Sequence, residues 1–304
     1  MLGKNILAIE NFTADEIRMV LNRAADMKKI IRSDTKKVSN LRGKAIINLF
    51  LENSTRTRTS FELAGKYLGA DVVSINAGTS SMAKGESLRD TLKTVEAMGV
   101  DAIVMRHKAE GSAEYASKIV KPVIINAGDG CHAHPSQALL DLLTIEQNFH
   151  ELAGLKVAII GDILHSRVAR SDIFAMTKMN MQVHIAGPKT LLPRFFNFDG
   201  VTVHDNVEDA IRNADVINIL RIQMERMQSG LFPTPREYAR VFGINQARLN
   251  LAKENVLILH PGPQNKGLEI SNDLVYCDKS AIHAQVENGV AIRMALLDLT
   301  IGGV

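Results

Sequence analysis

The stretch A-I-I-N-L-F-L at Ala45–Leu51 runs directly into E-N-S-T-R-T-R-T at Glu52–Thr59. The first run is short and apolar, which is typical of a buried strand. The second run is polar, and apolar residues then recur at helical spacing, at Phe61, Leu63, Ala64, Tyr67 and Leu68. A buried strand, a polar turn and a helix together form the repeating unit of an α/β fold.

The same unit recurs along the chain. Buried strands are predicted at Ala45–Leu51, Asp71–Ile75, Ala102–Met105, Val123–Asn126, Val157–Gly161, Gln182–Ala186, Val216–Leu220 and Val256–Leu259. Helical patterns separate most of them, and a capping box at Thr13–Glu16 begins the first helix. The sequence therefore predicts an α/β protein with mainly parallel, doubly wound sheets flanked by helices.

A helix that starts at His134-Pro135 divides the pattern, because proline is well placed at a first helical position. Its apolar stripe is formed by Ala138, Leu142, Ile145 and Phe149. We predict one domain over residues 1–133, a linking helix over 134–149 and a second domain from residue 150.

Composition excludes several classes of protein. The 304 residues carry a formal charge of +3 and 5% aromatic residues, too little for a nucleic-acid-binding surface. Cys131 and Cys277 cannot form a disulfide framework, which favours a reducing compartment. Because no uncharged apolar run approaches the ~18 residues of a bilayer span, we predict a cytoplasmic protein without a membrane partner.

Polar and charged residues gather where the predicted strands end. They occur at Ser54–Thr57, Asn76–Glu86, Arg106, His134–Gln137, Arg167, Arg221, Gln223 and His260–Pro263. Ligands of open α/β sheets bind outside the carboxyl ends of the strands. We therefore predict one ligand site in a cleft between the two domains.

Ser54-Thr55-Arg56-Thr57 is the most specific of these segments. Free N–H groups at a helix start bind anions, and an arginine fork suits phosphate. The spacing is not that of a P-loop. The alternative is an ordinary Ser/Thr cap beside solvated arginines.

Further cations follow other strands. Arg106, Arg167 and Arg221 each follow a strand, and together with Arg56 and Lys84 they indicate a polyanionic ligand. A single such arginine is more often a surface charge, and Lys84 alone would fit an exposed loop. Ser81–Lys84 also matches S-x-x-K, but the partner motifs of serine acyl enzymes are missing.

Cys131-His132-Ala133-His134 is the one metal-like cluster, and its spacing fits no common zinc motif, so no metal is predicted. A neutral His134 at a helix start could donate a hydrogen bond to a carbonyl oxygen; the alternative is a turn or cap histidine. Val157–Asp162 resembles a first Rossmann strand but lacks G-x-G-x-x-G, which argues against a nicotinamide cofactor.

Taken together, these motifs resemble the aspartate carbamoyltransferase family, catalytic chain. The matching segments are Phe50–Arg58, Lys84–Ser87, Met105–His107, Asn126–Gly130, His134–Leu143 and His260–Gly267. H-P-G-P at His260–Pro263 is the more discriminating one, because ornithine-type relatives carry H-C-L-P at the corresponding position and also have a tryptophan-containing D-x-W-x-S-M-G segment. This chain has Pro261 and no tryptophan.

The resemblance implies a carbamoyl-phosphate domain over 1–133 that is completed by a C-terminal helix over 285–304, and an aspartate domain over 150–284. It implies transfer of the carbamoyl group to L-aspartate in pyrimidine biosynthesis, without a metal or organic cofactor. It also implies a homotrimer in which Ser80 and Lys84 reach the neighbouring subunit's site.

The resemblance also implies the site residues. Those for carbamoyl phosphate are Ser54, Thr55, Arg56, Thr57, Ser80, Arg106, His134, Gln137, Pro261 and Gly262. Those for L-aspartate are Lys84, Arg167, Arg221 and Gln223. Catalysis is assigned to Arg56, Thr57, Lys84, Arg106 and His134. A carbamoyltransferase for another amine and a non-catalytic phosphometabolite sensor remain alternatives, and the sequence leaves a regulatory partner chain open.

Overall fold

The computed structural model describes residues 1–76, 85–193, 198–222 and 234–302. Strands within these residues are β1 Ala45–Phe50, β2 Asp71–Asn76, β3 Ala102–His107, β4 Val123–Asp129, β5 Lys156–Ile160, β6 Gln182–Ala186, β7 Val201–His204, β8 Val216–Ile219 and β9 Leu257–Leu259. Helices are α1 Ala14–Arg32, α2 Thr55–Tyr67, α3 Leu88–Ala97, α4 Ser112–Ile119, α5 Pro135–Phe149, α6 Arg167–Lys178, α7 Val207–Ile211, α8 Pro235–Phe242, α9 Gln246–Leu249, α10 Asn272–Val275 and α11 Ile282–Ile301.

Two parallel sheets organise the described chain. The first has the strand order β2-β1-β3-β4, and the second has the order β7-β6-β5-β8-β9. Every pairing between these strands is parallel. Helices flank both sheets, and the predicted fold class is confirmed.

Each sheet changes direction of winding at one place. In the first sheet the chain moves from β1 outward to β2 and then returns to the other side of β1 with β3. In the second sheet it moves outward through β6 and β7 and returns beside β5 with β8. Crevices form at the carboxyl ends of strands at such a switch point, so the ends of β1 and β3 and the ends of β5 and β8 are the favoured ligand positions.

Apolar side chains form a separate core in each sheet region. In the first, Leu49, Ile103 and Ile124 of β1, β3 and β4 pack with Leu92 of α3. In the second, Ile160, Ile217 and Ile258 belong to a cluster that also contains residues of α7 and α10. Burial of such side chains stabilises each by roughly 1.5–3 kcal/mol.

The chain forms two compact units, one of residues 1–140 and 286–304 and one of residues 141–285. The C-terminal helix joins the first unit through polar contacts. Asp298 accepts from Arg23 Nε at 2.7 Å, and buried Asn288 accepts from Lys28 Nζ at 2.6 Å. Thr300 also accepts through its carbonyl from the N–H of Gly3 at 2.9 Å.

The structure has one strand that the sequence did not predict, and several predicted strands begin or end at slightly different residues. Strand β7 was not predicted, because its four residues are an outer strand whose side chains are partly or largely exposed. The capping box at Thr13 and Glu16 is confirmed. Among the residues described, no helix has both the length and the apolar character that crossing a bilayer requires.

Candidate active site

The start of α2 keeps its backbone amides unused by a side-chain cap. Ser54 occupies the N-cap position with φ −159° and ψ 109°, yet its side chain makes no cap hydrogen bond. Thr57, in the first turn, is 8% exposed. The hydroxyl of Ser60 donates to the carbonyls of Arg56 and Thr57 at 2.7 and 3.0 Å, which fixes this turn from below. Free N–H groups with the helix dipole make this a suitable place for an anion.

Arg106 lies beside this turn because β1 and β3 are neighbours. The N–H of Leu51 donates to the carbonyl of Arg106 at 2.8 Å. The guanidinium lies 3.2 Å from Glu52 Oε1 and 3.4 Å from the Ala127 carbonyl. Both side chains of the ion pair are largely buried, and a carboxylate at one end of the fork fixes its orientation.

The loop after β4 is held by a single buried carboxylate, Asp129. Its oxygens accept from the N–H of Gly111 at 2.8 Å, from the N–H of Ala133 at 3.1 Å and from the Asn126 amide at 2.7 Å. His132 Nδ1 lies 3.0 Å away. These contacts fix the backbone of the loop that leads to His134, the residue that follows Ala133.

His134 and Gln137 lie at the start of α5 and are 4% and 8% exposed. The N–H of Gln137 donates to the His134 carbonyl at 3.0 Å. Because β1, β3 and β4 are successive in the sheet, the structure brings the Ser54–Thr57 turn, Arg106 and His134 to one edge of the first unit.

The second unit places its arginines at its own switch point. Arg167 is the first residue of α6, is 6% exposed and follows Ser166, whose hydroxyl accepts from the Ala169 N–H at 3.1 Å. Arg221 follows β8, the neighbour of β5. Both predicted aspartate-binding arginines therefore lie at the same edge of the second sheet.

The loop between β5 and α6 is organised by Asp162. Its carboxylate accepts from the His165 N–H at 3.1 Å, and the His165 ring nitrogen lies 3.0 Å away. Burial raises the pKa of Asp162, and the contacts with His165 oppose that shift. Buried Tyr238 belongs to this edge as well, and burial, then Glu269 and Asp162, raises the pKa of its hydroxyl.

The turn after β9 is fixed through His260, which is 2% exposed. Its Nδ1 accepts from the Gly262 N–H at 2.8 Å, so the ring carries its proton on Nε2, 3.2 Å from Glu269 Oε1. Glu269 also accepts from the Asn265 amide at 3.1 Å. Gly262 has φ 61°, a conformation that favours glycine. The carbonyls of Pro261 and Gly262 thus belong to a constrained turn.

Three predicted site residues, Ser80, Lys84 and Gln223, lie outside the described residues. Within the described ranges, no group of three or more His, Cys, Asp and Glu side chains is arranged to hold a metal ion. The N–H of Cys131 instead donates to Glu110 Oε1 at 3.1 Å.

Sequence reasoning missed the carboxylates that hold these residues in place, namely Glu52, Asp129 and Glu269. Asp129 and Glu52 occur within the quoted motifs, so a carboxylate next to an arginine or histidine motif was the available signal. Glu269 had no such signal, because its contact with His260 depends on how the turn folds.

Comparisons with known proteins agree with this geometry. Residues 4–147 match the family model of the aspartate/ornithine carbamoyltransferase carbamoyl-P binding domain, and residues 153–300 match that of the Asp/Orn binding domain. The chain therefore belongs to the aspartate/ornithine carbamoyltransferase family, as the motifs predicted.

The relatives with high sequence identity to this chain include aspartate carbamoyltransferase catalytic subunits. The aspartate carbamoyltransferase catalytic subunit of Desulforamulus reducens is 55% identical over 99% of this chain and 96% of its own length. That of Pelotomaculum thermopropionicum is 54% identical over 100% and 98%.

Solved structures show the same fold with either acceptor class. The aspartate transcarbamoylase of Trypanosoma cruzi in complex with carbamoyl phosphate has a TM-score of 0.88 at 30% identity, over 99% of this chain and 97% of that chain. The ornithine carbamoyltransferase of Pyrococcus furiosus also scores 0.88, at 28% identity over 100% and 98%. Backbone similarity alone does not separate the two acceptors.

Proposed function

We propose that this chain catalyses transfer of the carbamoyl group of carbamoyl phosphate to the amine of L-aspartate, giving N-carbamoyl-L-aspartate and phosphate. Its family membership and the relatives that share more than half of its residues support the reaction. The predicted enzyme class, a carbamoyltransferase, is confirmed. The reaction is a step of pyrimidine biosynthesis.

The observation that carries the site assignment is the start of α2, whose cap side chain is not engaged, beside the Arg106–Glu52 pair. The phosphate of carbamoyl phosphate binds the N–H groups and hydroxyls of Ser54, Thr55 and Thr57. Arg56 and Arg106 neutralise its charge, and Ser80 and Lys84 add to this from the neighbouring subunit. Helix starts and arginine forks both favour phosphate.

The carbamoyl carbonyl is activated by Thr57, Arg106 and His134, which donate to the oxygen where negative charge develops. Gln137 accepts from the carbamoyl NH₂ through its side-chain oxygen. The carbonyls of Pro261 and Gly262 accept from the same NH₂, because a constrained turn provides backbone acceptors without reorganisation.

L-Aspartate is bound through its two carboxylates by Arg167, Arg221, Gln223 and Lys84. Its amine attacks the carbamoyl carbon, a C–N bond forms, and the bond from that carbon to the phosphate oxygen breaks. The departing phosphate takes the amine proton, so no protein base is required. Orientation of the two reactants supplies ~7–11 kcal/mol of the barrier reduction.

The chain acts as a cytoplasmic homotrimer with shared sites. The family resemblance supports this assembly, because it implies that Ser80 and Lys84 reach a neighbouring subunit's site, so that each site needs two chains. A regulatory chain is compatible with the trimer and is not required for the chemistry.

A phosphate-release assay tests the reaction directly. With carbamoyl phosphate present, we expect release to depend on L-aspartate and to be at least about 100-fold slower with L-ornithine, whose side-chain cation does not suit an arginine-lined site. Equal release with ornithine would contradict the acceptor. Ligand-induced stabilisation without any release would instead identify a sensor.

A further inference from the structure

A chain of buried polar side chains in the second unit ends at the turn after β9. Its members are Asn218 on β8, Asp172 on α6, Asp141 on α5 and Gln285 on α11. The first three are 0% exposed and Gln285 is 4% exposed. We call this set the buried amide–carboxyl chain.

Successive members are joined by hydrogen bonds. The Asn218 amide donates to Asp172 Oδ2 at 2.7 Å, and the Gln285 amide donates to Asp141 Oδ1 at 2.6 Å. The Asp141 carboxyl neighbours that of Asp172, and after burial it is the main cause that raises the pKa of Asp172, through its charge and a hydrogen bond. Gln285 Oε1 accepts from the N–H of His260 at 3.0 Å. The buried amide–carboxyl chain therefore ends at His260, the residue before Pro261.

A direct contact between two carboxyl groups requires a proton, because two carboxylates have only acceptors. Asp141 Oδ1 and Asp172 Oδ2 already accept from amides, so the proton lies on one of the remaining oxygens. Asp172 Oδ1 is buried and has no hydrogen-bond partner among the described residues. One shared proton satisfies it.

The two partners of Gln285 determine which end of its amide faces His260. Asp141 Oδ1 accepts, so the NH₂ of Gln285 faces the carboxyl and its Oε1 faces the backbone N–H. Two ionised carboxylates in contact would repel each other in this interior. Loss of the proton would therefore disturb the support of His260 from this side.

We propose that Asp141 and Asp172 share one proton as positioning residues, and that this pair fixes the Pro261–Gly262 turn through Gln285 and the His260 N–H. The proposal rests on the role assigned above to the carbonyls of that turn. The groups that face Asp172 are the Asp141 carboxyl from α5 and the Asn218 amide from β8.

The shared proton is tested by pH dependence in Asp172→Asn. Burial and the Asp141 carboxyl raise the pKa of Asp172 above its ordinary 3.8, so the folded pair keeps a proton that the unfolded chain releases. Its stabilising contribution is complete below pH 3.8 and is lost as pH rises through the folded pKa. In Asp172→Asn the amide supplies an N–H at every pH, so the variant does not lose this stabilisation as the pH rises.

Hydrogen exchange of core amides in β5 and β8 measures opening of the second unit. The measured quantity is the ratio of the native opening constant to that of Asp172→Asn at the same pH. This ratio should rise by up to about tenfold per pH unit above the unfolded pKa. A constant ratio from about pH 5 to about pH 9 would contradict the shared proton.

The link to the turn is tested by kinetics. Asp172→Leu removes the contact with Asp141 and should lower kcat/KM for carbamoyl phosphate by about 10- to 100-fold, since small misplacements have effects of this size. Asp172→Asn should remain within about threefold of native. If the asparagine variant is as slow as the leucine variant, the positioning role is wrong.

Gln285→Met provides a variant that leaves the carboxyl pair intact. It should show the kinetic loss but still have an opening constant that rises with pH relative to Asp172→Asn, because both carboxyl groups remain although Asp141 Oδ1 and the His260 N–H each lose their Gln285 partner. Native kinetics in this variant would overturn the link. If the native protein fails to carbamoylate aspartate, the proposed function is wrong, and hydrogen exchange still decides the shared proton.

Discussion

Two helices that follow the first strand of their sheets begin differently. In α2, Ser54 stands at the N-cap position without a side-chain cap, whereas in α6 the hydroxyl of Ser166 accepts from the Ala169 N–H at 3.1 Å. Both helices start at a switch point of a parallel sheet. Helix α2 therefore begins without a side-chain cap, whereas α6 begins with one.

The difference follows the chemistry of the two substrates. A phosphate group carries charge on several oxygens and suits a fan of N–H groups reinforced by the helix dipole. Two separate carboxylates are bound by guanidinium forks, so the second unit relies on Arg167 and Arg221, whereas the first combines the helix start with Arg56 and Arg106. Four predictions examine this contrast, from the largest effect to the smallest.

Arg56→Ala should lower kcat/KM by at least about 1000-fold, because it removes a fork from phosphate and from the developing charge. The melting temperature should change little, since Arg56 is exposed. Lys66→Ala is the matched control, because Lys66 lies at the other end of α2 in an exposed ion pair with Glu62. Near-native turnover in Arg56→Ala would contradict the phosphate role.

Arg221→Ala should raise KM for aspartate by about 100-fold and change KM for carbamoyl phosphate by less than about threefold. Steady-state kinetics with each substrate varied separate the two. Arg212, which is exposed and precedes β8 at its other end, provides the control substitution Arg212→Ala. Equal increases in KM for both substrates would contradict the assignment of Arg221 to aspartate.

Mixing Lys84→Ala chains with Arg221→Ala chains should restore activity. After subunit exchange in a shared-site trimer, roughly one site in four combines an intact Lys84 with an intact Arg221. Phosphate release before and after exchange measures the recovery, and mixtures of each variant with itself serve as controls. Absence of recovery would exclude the shared site.

Ser166→Ala should lower the free energy of unfolding by about 1 kcal/mol, the typical value of a cap. Ser54→Ala should lower it by less than about 0.5 kcal/mol, since its side chain caps nothing, but should weaken binding of carbamoyl phosphate. Urea unfolding and ligand titration measure the two effects. Equal destabilisation would remove the contrast between α2 and α6.

Local patterns made most of the fold predictable. The run from Ala45 to Thr59 and its repeats identified eight of the nine described strands. The exception, β7, has four residues, partly or largely exposed, and no long apolar run. Periodicity detects buried strands best, so a short strand at the edge of a sheet gives little signal.

The site was only partly predictable. Segments such as Ser54–Thr57 carry their chemistry in consecutive residues, and their resemblance to a family could be read directly. Contacts such as that between Asp141 and Gln285 join residues 144 positions apart, so no local pattern indicates them. Buried carboxyls in a helix are ordinarily interpreted as surface charges until the fold is known.

The discontinuous first unit has a consequence for synthesis on the ribosome. Its residues 286–304 are made only after the whole of residues 141–285. The second unit can therefore complete its sheet while the first still lacks α11, which reverses the usual order in which nascent domains mature. Until residues 286–304 leave the ribosome, Arg23 and Lys28 of the first unit lack their partners Asp298 and Asn288.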